Sequence, residues 1–263
     1  MNISKCYCGE EAYSKLYAAG DCTLVKCSGC QQVRVAAINV NKAFYDDDHY
    51  FTERNNYIER WEEFSLHFRK IIYKVKKFKS GGTLLDIGCG VGILLDVAQR
   101  NGFEVKGIEL SRWASEFARD KGFDVITGNL LDTVYTERSF DVIVLNHVLE
   151  HLPNPRAILQ EAKRILKDDG LLIIGAPNFD SYMAKIRKEK WFSLMPNQHI
   201  WQFTHETLSM LLQKNGFSVV YFEAKDNHAV GWRHPSGILF FLVNVFAVIF
   251  EKSEAMLVFA RKS

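Results

Sequence analysis

From Thr83 onward the chain alternates short, nearly unbroken apolar runs with stretches in which apolar residues return every three or four positions. The unbroken runs predict strands over Thr83–Ile87, Glu104–Glu109, Asp124–Thr127, Asp141–Leu145 and Leu171–Ala176. Such runs suit parallel strands covered on both faces. The periodic stretches predict helices between them. Ser111 stands where it caps one that stops near Gly122, and Asn154-Pro155 starts another with proline at its first helical position. That second helix places Ile158, Leu159, Ala162, Ile165 and Leu166 on one face. Thr204 and Gly216 bracket a further helix. Two more strands, Ser218–Phe222 and Met256–Ala260, flank an apolar stretch over 238–250. Alternation of this kind implies an α/β fold with an open, doubly wound sheet.

The chain before Thr83 is patterned differently. Residues 1–40 read as a small module: Leu24-Val25-Lys26 and Val33–Val40 as strands, with Cys6-Tyr-Cys8-Gly9 and Cys27-Ser-Gly-Cys30 as two turns facing each other. Residues 41–80 read as a helical linker and cap. They hold the aromatics Phe44, Tyr45, Tyr50, Phe51, Tyr57 and Trp61, then an amphipathic helix over Ile58–Phe78. The basic run on that helix (Arg69, Lys70, Lys74, Lys76, Lys77, Lys79) reads as a solvated face. Residues 81–263 form the main domain.

Composition narrows the classes. With 48% hydrophobic and 24% charged residues in 263, the chain can bury a sizeable core without cross-links. A net charge of +2 gives no broad basic face, so nucleic acid is not an expected partner. The first residues lack an apolar signal segment, which predicts a cytoplasmic, reducing location. The run Ile238–Phe250, interrupted by Asn244, is shorter than the roughly 20 residues that span a bilayer; it reads as a core or interfacial helix, compatible with peripheral membrane contact.

In a reducing location clustered cysteines point to metal more than to disulfides. Cys6, Cys8, Cys27 and Cys30 supply four soft ligands in two pairs, the composition of a closed structural zinc site. The Cys27–Cys30 spacing is that of a zinc knuckle, the Cys6–Cys8 spacing is one residue tighter, and Cys22 is a substitute ligand.

The most informative segment is Asp86-Ile87-Gly88-Cys89-Gly90-Val91-Gly92, an apolar strand running into glycines and then a helix. Glycines let the backbone turn tightly and approach a ligand, and the amides of the following helix face that ligand. A dinucleotide fingerprint, G-x-G-x-x-G/A, would need glycine or alanine at position 93, where this chain has Ile93. Glu109 ends the second strand, where an acid accepts hydrogen bonds from ribose hydroxyls.

Leu85-Asp86-Ile87-Gly88-Cys89-Gly90-Val91-Gly92 resembles motif I of class I S-adenosylmethionine-dependent methyltransferases. Gly128-Asn129, Ser139–Ile143, Glu150-His151-Leu152-Pro153-Asn154-Pro155, Leu166–Leu171 and His199–Phe217 resemble later signatures of that family. The branch they match includes small-molecule and ubiquinone-pathway O-methyltransferases and enzymes that modify sugars or polysaccharides. The resemblance implies a Rossmann-like, seven-stranded, mostly parallel sheet with helices on both faces, beside the cysteine-rich module. It implies that Gly88, Cys89 and Gly90 pack under the methionine part of the cofactor and that Asp86 anchors its amino group. Glu109 would hold the ribose, with Leu110 beside the adenine. Asn129 and Leu130 would read the adenine edge, and Asn146 would lie beside the sulfonium. Asn129 stands where the family usually has aspartate, which removes charge assistance from that contact.

Methyl transfer from a sulfonium needs alignment and exclusion of water, and a base when the acceptor is a hydroxyl. His151 and His199 are the expected bases, with His147 a further candidate; Trp191, Phe192, Trp201 and Phe203 are candidates for an apolar acceptor pocket. Some ubiquinone-pathway relatives hold a metal near this loop. Because His147 stands where a further acid would be wanted, no catalytic metal is expected. The leading expectation is an enzyme methylating a small molecule or glycan unit at oxygen. Two alternatives are an RNA methyltransferase gripping its substrate with the zinc module, and a non-catalytic cofactor-binding interaction module.

Overall fold

The computed structural model describes residues 5–37, 51, 56–225, 247 and 252–263. Its first elements are β1 (Tyr13–Ala19), β2 (Cys22–Cys27) and β3 (Val33–Val35), followed by α1 (Trp61–Val75). The main domain continues as β4 (Gly82–Ile87), α2 (Ile93–Arg100), β5 (Phe103–Glu109), α3 (Arg112–Asp120), β6 (Asp124–Thr127), β7 (Phe140–Asn146), α4 (Pro155–Ile165) and β8 (Leu166–Pro177). It ends with α5 (Tyr182–Arg187), β9 (Trp201–Gln202), α6 (His205–Lys214), β10 (Phe217–Lys225) and β11 (Ala255–Lys262).

The seven-stranded sheet has the order β10-β11-β8-β7-β4-β5-β6. The run from β8 through β7, β4 and β5 to β6 is parallel, while β11 and β10 are antiparallel. The mostly parallel, doubly wound sheet expected from the apolar runs is therefore the observed one. Side chains alternate between the two faces of each strand. Leu84, Val142, Val144 and Ile173 join Ile71, Ile72 and Val75 of α1 and Leu94 and Leu95 of α2. Their neighbours Leu85, Ile143, Leu145, Leu172 and Ile174 join Ile158 and Leu159 of α4 and Leu208 and Leu211 of α6.

The caps form as their residue types require. Ser111 and Asn154 accept from the amides of Ala114 and Ala157, and Thr204 forms a reciprocal capping box with Thr207. The basic residues of α1 are partly spent locally: Arg69 pairs with Glu62, Lys74 with Glu223, and Lys79 with Asp169 and Asp141.

Two elements differ from the sequence expectation. The strand expected over Leu171–Ala176 begins earlier, at Leu166 in β8, because the register against β7 slips from Phe140↔Leu166 to Val142↔Leu171 and the surplus residues bulge out of one continuous strand. The strand expected over Val33–Val40 is Val33–Val35, with residues 38–40 outside the described ones. Phe44, Tyr45, Tyr50 and nearly all of 238–250 also lie outside them. No helix among the described residues is long and apolar enough to cross a membrane.

The second sheet, β1-β2-β3-β9, contains the two strands expected in the module, β2 and β3, but β1 and the addition of β9 were not legible beforehand. Its last strand, two residues long, comes from the main domain and pairs Gln202 with Val33 and Trp201 with Arg34. Cys6, Tyr7, Cys27 and Cys30 consequently pack into the α6-side core rather than standing apart from it.

Ile173, fully buried on central β8, tests this packing. Ile173→Ala is expected to cost about 2–5 kcal/mol in urea unfolding; a loss below about 1 kcal/mol would show that the two helix layers do not close over this strand.

Candidate active site

The glycine turn leaves β4 at the carboxyl edge of the sheet. Gly88 and Gly90 adopt φ of 75° and 54°, a region that side chains with a Cβ rarely enter. A Cβ at Gly88 would also come within 2.5 Å of Val148 Cγ2. Phe51, stacked on Trp113 with ring centres 5.9 Å apart, lies over Gly90 at contact distance from such a Cβ. Aromatic cover from the segment preceding α1 was not anticipated.

Glu109 closes the turn. Its Oε2 accepts from the amide of Gly90 and its Oε1 from the amide of Ser111, each at 2.8 Å. Each carboxylate oxygen keeps a further lone pair for a ligand hydroxyl. Burial pushes the Glu109 carboxyl up, against the pull of those amides. Asp86 is buried beside it, and burial together with the Glu109 charge pushes it up to about 8. Two carboxyls held close in a dry turn form a site for a cationic, hydroxyl-bearing ligand, which would restore their charged forms.

The other cofactor candidates separate by what their side chains can reach. Leu110 is half exposed beside Glu109 and open to contact. Leu130 is buried in the core, so only its backbone remains for an adenine; half-exposed Leu131 is its outward neighbour. Asn129 caps the short helical turn Leu130–Asp132 through its side-chain carbonyl, which accepts from the Leu131 amide at 3.2 Å. Cys89 turns inward, where a Cβ at Gly107 would meet its Sγ at 2.7 Å; its contribution to a ligand is through the backbone. Asn146, ending β7, has its Oδ1 buried without a hydrogen-bond partner among the described residues. Since an orphaned buried acceptor costs about 1–3 kcal/mol, a ligand donor or ordered water is expected there.

Beyond Asn146 the loop turns through His147, at φ 56°, into a single helical turn over Leu149–His151. Glu150 is fully buried, with Oε1 3.2 Å from His147 Nδ1 and Oε2 unpaired among the described residues. His151 and His199 meet edge to face, ring centres 4.7 Å apart. Each holds a backbone carbonyl through Nδ1: Gln198 at 3.2 Å for His151 and Ser193 at 2.7 Å for His199. A carbonyl only accepts, so both rings carry the proton on Nδ1, and Nε2 is the basic nitrogen of each. Burial lowers both, His199 to about 4. Burial alone would raise Glu150, but the His147 hydrogen bond and the neighbouring imidazoles outweigh it and hold the carboxyl below its usual range. One ligand atom each of Glu150, His151 and His199 lies within 4.8 Å of the others, spacing that can also hold a cation. Trp191, Trp201 and Phe203 are core residues, and Phe192 alone of the four aromatics is exposed.

The four cysteines of the N-terminal module converge. Sγ atoms of Cys6 and Cys30, and of Cys8 and Cys27, are 3.5 Å apart, and all four lie within 4.8 Å of one another. A tetrahedron with metal–sulfur bonds of about 2.3 Å has edges of roughly 3.8 Å, so the cluster fits a metal of zinc's size. Cys22 is outside it, its thiol on Asn197 Oδ1. Burial pushes the Cys6 and Cys30 thiols up, a cost that a bound cation reverses by holding thiolates.

A family model for a methyltransferase domain matches residues 57–221, more than half of the chain. The chain belongs to this family, the class I S-adenosylmethionine-dependent methyltransferases. An uncharacterized protein of Methanocaldococcus jannaschii is 31% identical over 134 residues, covering 50% of this chain and 63% of its own. A ubiquinone biosynthesis O-methyltransferase of Glaesserella parasuis is 36% identical over 113 residues, covering 37% of this chain and 46% of its own. Among solved structures, a SAM-dependent methyltransferase from Archaeoglobus fulgidus shares the fold with TM-score 0.61 at 23% identity, covering 82% of this chain and 100% of that one. The chain thus spans about half to two thirds of the length of these curated relatives.

Two outcomes follow from the carboxyl pair. Asp86 has its folded value, about 8, above the unfolded one, so the folded chain binds this proton more tightly. Its stabilisation is complete below pH ~4 and is lost as pH rises through about 8. Without cofactor, Asp86→Asn is expected to gain on wild type by on the order of 1 kcal/mol or more between pH 5 and 8.5 in urea titrations; parallel pH profiles would contradict this. Glu109→Ala is expected to weaken S-adenosylmethionine binding by roughly 1–3 kcal/mol in calorimetry, and unchanged affinity would remove the ribose assignment.

Proposed function

We propose that this chain transfers a methyl group from S-adenosylmethionine to a hydroxyl of a small molecule or glycan unit. The observation that carries the reading is the placement of two functional halves at one sheet edge. The glycine turn follows β4, Glu109 ends β5, and Glu150 and His151 follow β7, where His199 from the loop before β9 meets them. When bound, the cofactor supplies a methyl on a sulfonium, already a good leaving group. Gly88, Gly90 and Asp86 would seat its methionine part and Glu109 its ribose. Asn146, at the end of β7, would use there its Oδ1, which is without a partner among the described residues.

The acceptor would meet His151 and His199. Their Nδ1 atoms are committed to carbonyls, so Nε2 of either would take the hydroxyl proton as the oxygen attacks. A buried imidazole near 4 is neutral at pH 7 and so in the form a base needs. Glu150, ionised beneath the rings, would stabilise the imidazolium that forms. Oxygen as acceptor atom is supported by this base cluster and by the ubiquinone O-methyltransferase among the relatives. A near-balanced net charge of +2 weighs against an RNA acceptor.

Residues 1–40 act in this reading as a zinc-binding module, 41–80 as linker and cap, and 81–263 as the methyltransferase domain. Zinc is structural, because four cysteines leave no open position for water.

Radiolabelled methyl transfer into fractionated cell extract tests the reaction. Label is expected in a low-molecular-weight or glycan fraction, untouched by ribonuclease, with His199→Gln reducing the rate about 100-fold or more. Label confined to RNA, or an unaffected variant, would overturn it. Protein purified without added metal is expected to carry close to one equivalent of zinc; less than half an equivalent counts against the module's metal.

A further inference from the structure

The cysteine module and the acceptor-side histidines lie far apart in sequence, yet a continuous set of hydrogen bonds joins them. Ile200 is held on both sides, its carbonyl accepting from the Val35 amide at 3.0 Å and its amide donating to the Glu150 carbonyl at 2.8 Å. The neighbouring His199 and the buried Glu150 are thus stitched to β3, the strand that leaves the Cys27–Cys30 knuckle.

Two fully enclosed glutamines reinforce this stitch. Gln32 belongs to the knuckle, its carbonyl accepting from the Cys27 amide at 2.9 Å. Its Nε2 donates to the Gln202 carbonyl at 2.9 Å and to the Val33 carbonyl at 2.7 Å, while Oε1 accepts from the Tyr7 hydroxyl at 3.3 Å. Gln202 in turn sends Nε2 to the His199 carbonyl at 3.0 Å and to the Leu194 carbonyl at 3.1 Å. His199 closes the same loop by donating from its ring to Ser193. Glutamine is rarely buried, and a buried amide is tolerated where its donors and acceptors are met. Here those amides lock the loop over 193–202 against the knuckle, where β9 alone offers only two strand residues. Tyr7, between Cys6 and Cys8, shares its single hydroxyl proton between the Thr207 carbonyl at 2.9 Å and the more distant Gln32 Oε1, and packs 5.8 Å from the Trp201 ring. The cofactor half takes no part in these contacts: Glu109 is bonded to Gly90 and Ser111.

We propose that Gln32 and Gln202 are positioning residues that relay the order of the four-cysteine metal site to His199 and Glu150, so that metal occupancy sets the acceptor half of the active site and leaves the cofactor half alone. This rests on the reading of the cysteines as a metal site, and the test below does not depend on the methyl-transfer reading. In the metal-loaded chain the knuckle is a rigid anchor; without metal, four close thiols lose their common partner and β3 loses its fixed end. The loop over 193–202 then loosens while the glycine turn remains as it was.

The full chain with isotope-labelled histidine is the sample, with the His151 and His199 ring resonances identified from His151→Gln and His199→Gln. Spectra are compared for the zinc-loaded protein, the chelator-treated protein, Gln32→Leu and the isosteric Gln32→Glu, which keeps the shape but turns an acceptor oxygen toward the Val33 and Gln202 carbonyls. Chelation is expected to shift or broaden His151 and His199 and to leave His67, on α1, unchanged. Both Gln32 variants are expected to retain zinc and move the same two rings, Gln32→Glu at least as far as Gln32→Leu. S-adenosylhomocysteine affinity stays within about twofold throughout, and re-added Zn2+ restores the wild-type spectrum. Rings indifferent to chelation would overturn the proposal, as would Gln32 variants that move neither ring. S-adenosylhomocysteine affinity falling in step with the ring shifts would also overturn it, since the coupling would then be general loosening. A chain that takes up no zinc would remove the metal site and leave the base assignment to the methyl-transfer assay.

Discussion

The Glu109 carboxylate, shared between the amides of Gly90 and Ser111, is the contact around which the cofactor half is organised. It fastens the glycine turn after β4 to the end of β5 and to the cap of α3, three pieces of chain that a ligand must meet together. An alanine at this position would leave both amides without this acceptor. The cost of the arrangement is electrostatic: two carboxyls, Asp86 and Glu109, lie close together in a buried turn. The turn is consequently most at ease with a protonated Asp86 or a cationic ligand, a preference that suits an aminoacyl group next to a ribose.

The acceptor half obeys a different constraint. His151 and His199 come from segments about fifty residues apart, and backbone carbonyls rather than side chains fix their tautomers. Buried Glu150 beneath them gives the cluster one negative charge. Glu150, His151 and His199 also stand close enough together to hold a cation, at the loop where the sequence reading weighed a metal and expected none. That cluster is held in place partly by the cysteine module through β3, Gln32 and Gln202, so a segment resembling an independent appendage in sequence is part of the site's scaffold.

The parallel sheet was legible because buried strands read as apolar runs and the helices between them carry plain capping residues, Ser111, Asn154 and Thr204. The glycine turn stood out because close backbone approach to a ligand demands glycine, and Glu109 because an acid at a strand end is placed to accept hydrogen bonds. What stayed hidden shares a physical cause. β9 is two residues long and carries no periodicity. Gln32 and Gln202 look like surface residues until pairing across about 170 positions buries them. Trp191, Trp201 and Phe203 suggested a pocket by type, but aromatics serve the core as readily, and there the fold put them. Cys89 lies in the turn and Leu130 follows β6, yet both side chains point into the core, because the direction of a side chain depends on the local backbone, which spacing alone does not fix.

The spacing of the glycine turn favours S-adenosylmethionine over a dinucleotide. Calorimetric titration of the wild-type chain with S-adenosylmethionine, in parallel with NAD, tests this directly. One equivalent of S-adenosylmethionine is expected to bind at least tenfold more tightly than NAD, a difference of about 1.4 kcal/mol or more. Equal binding of the two, or tighter binding of NAD, would contradict it.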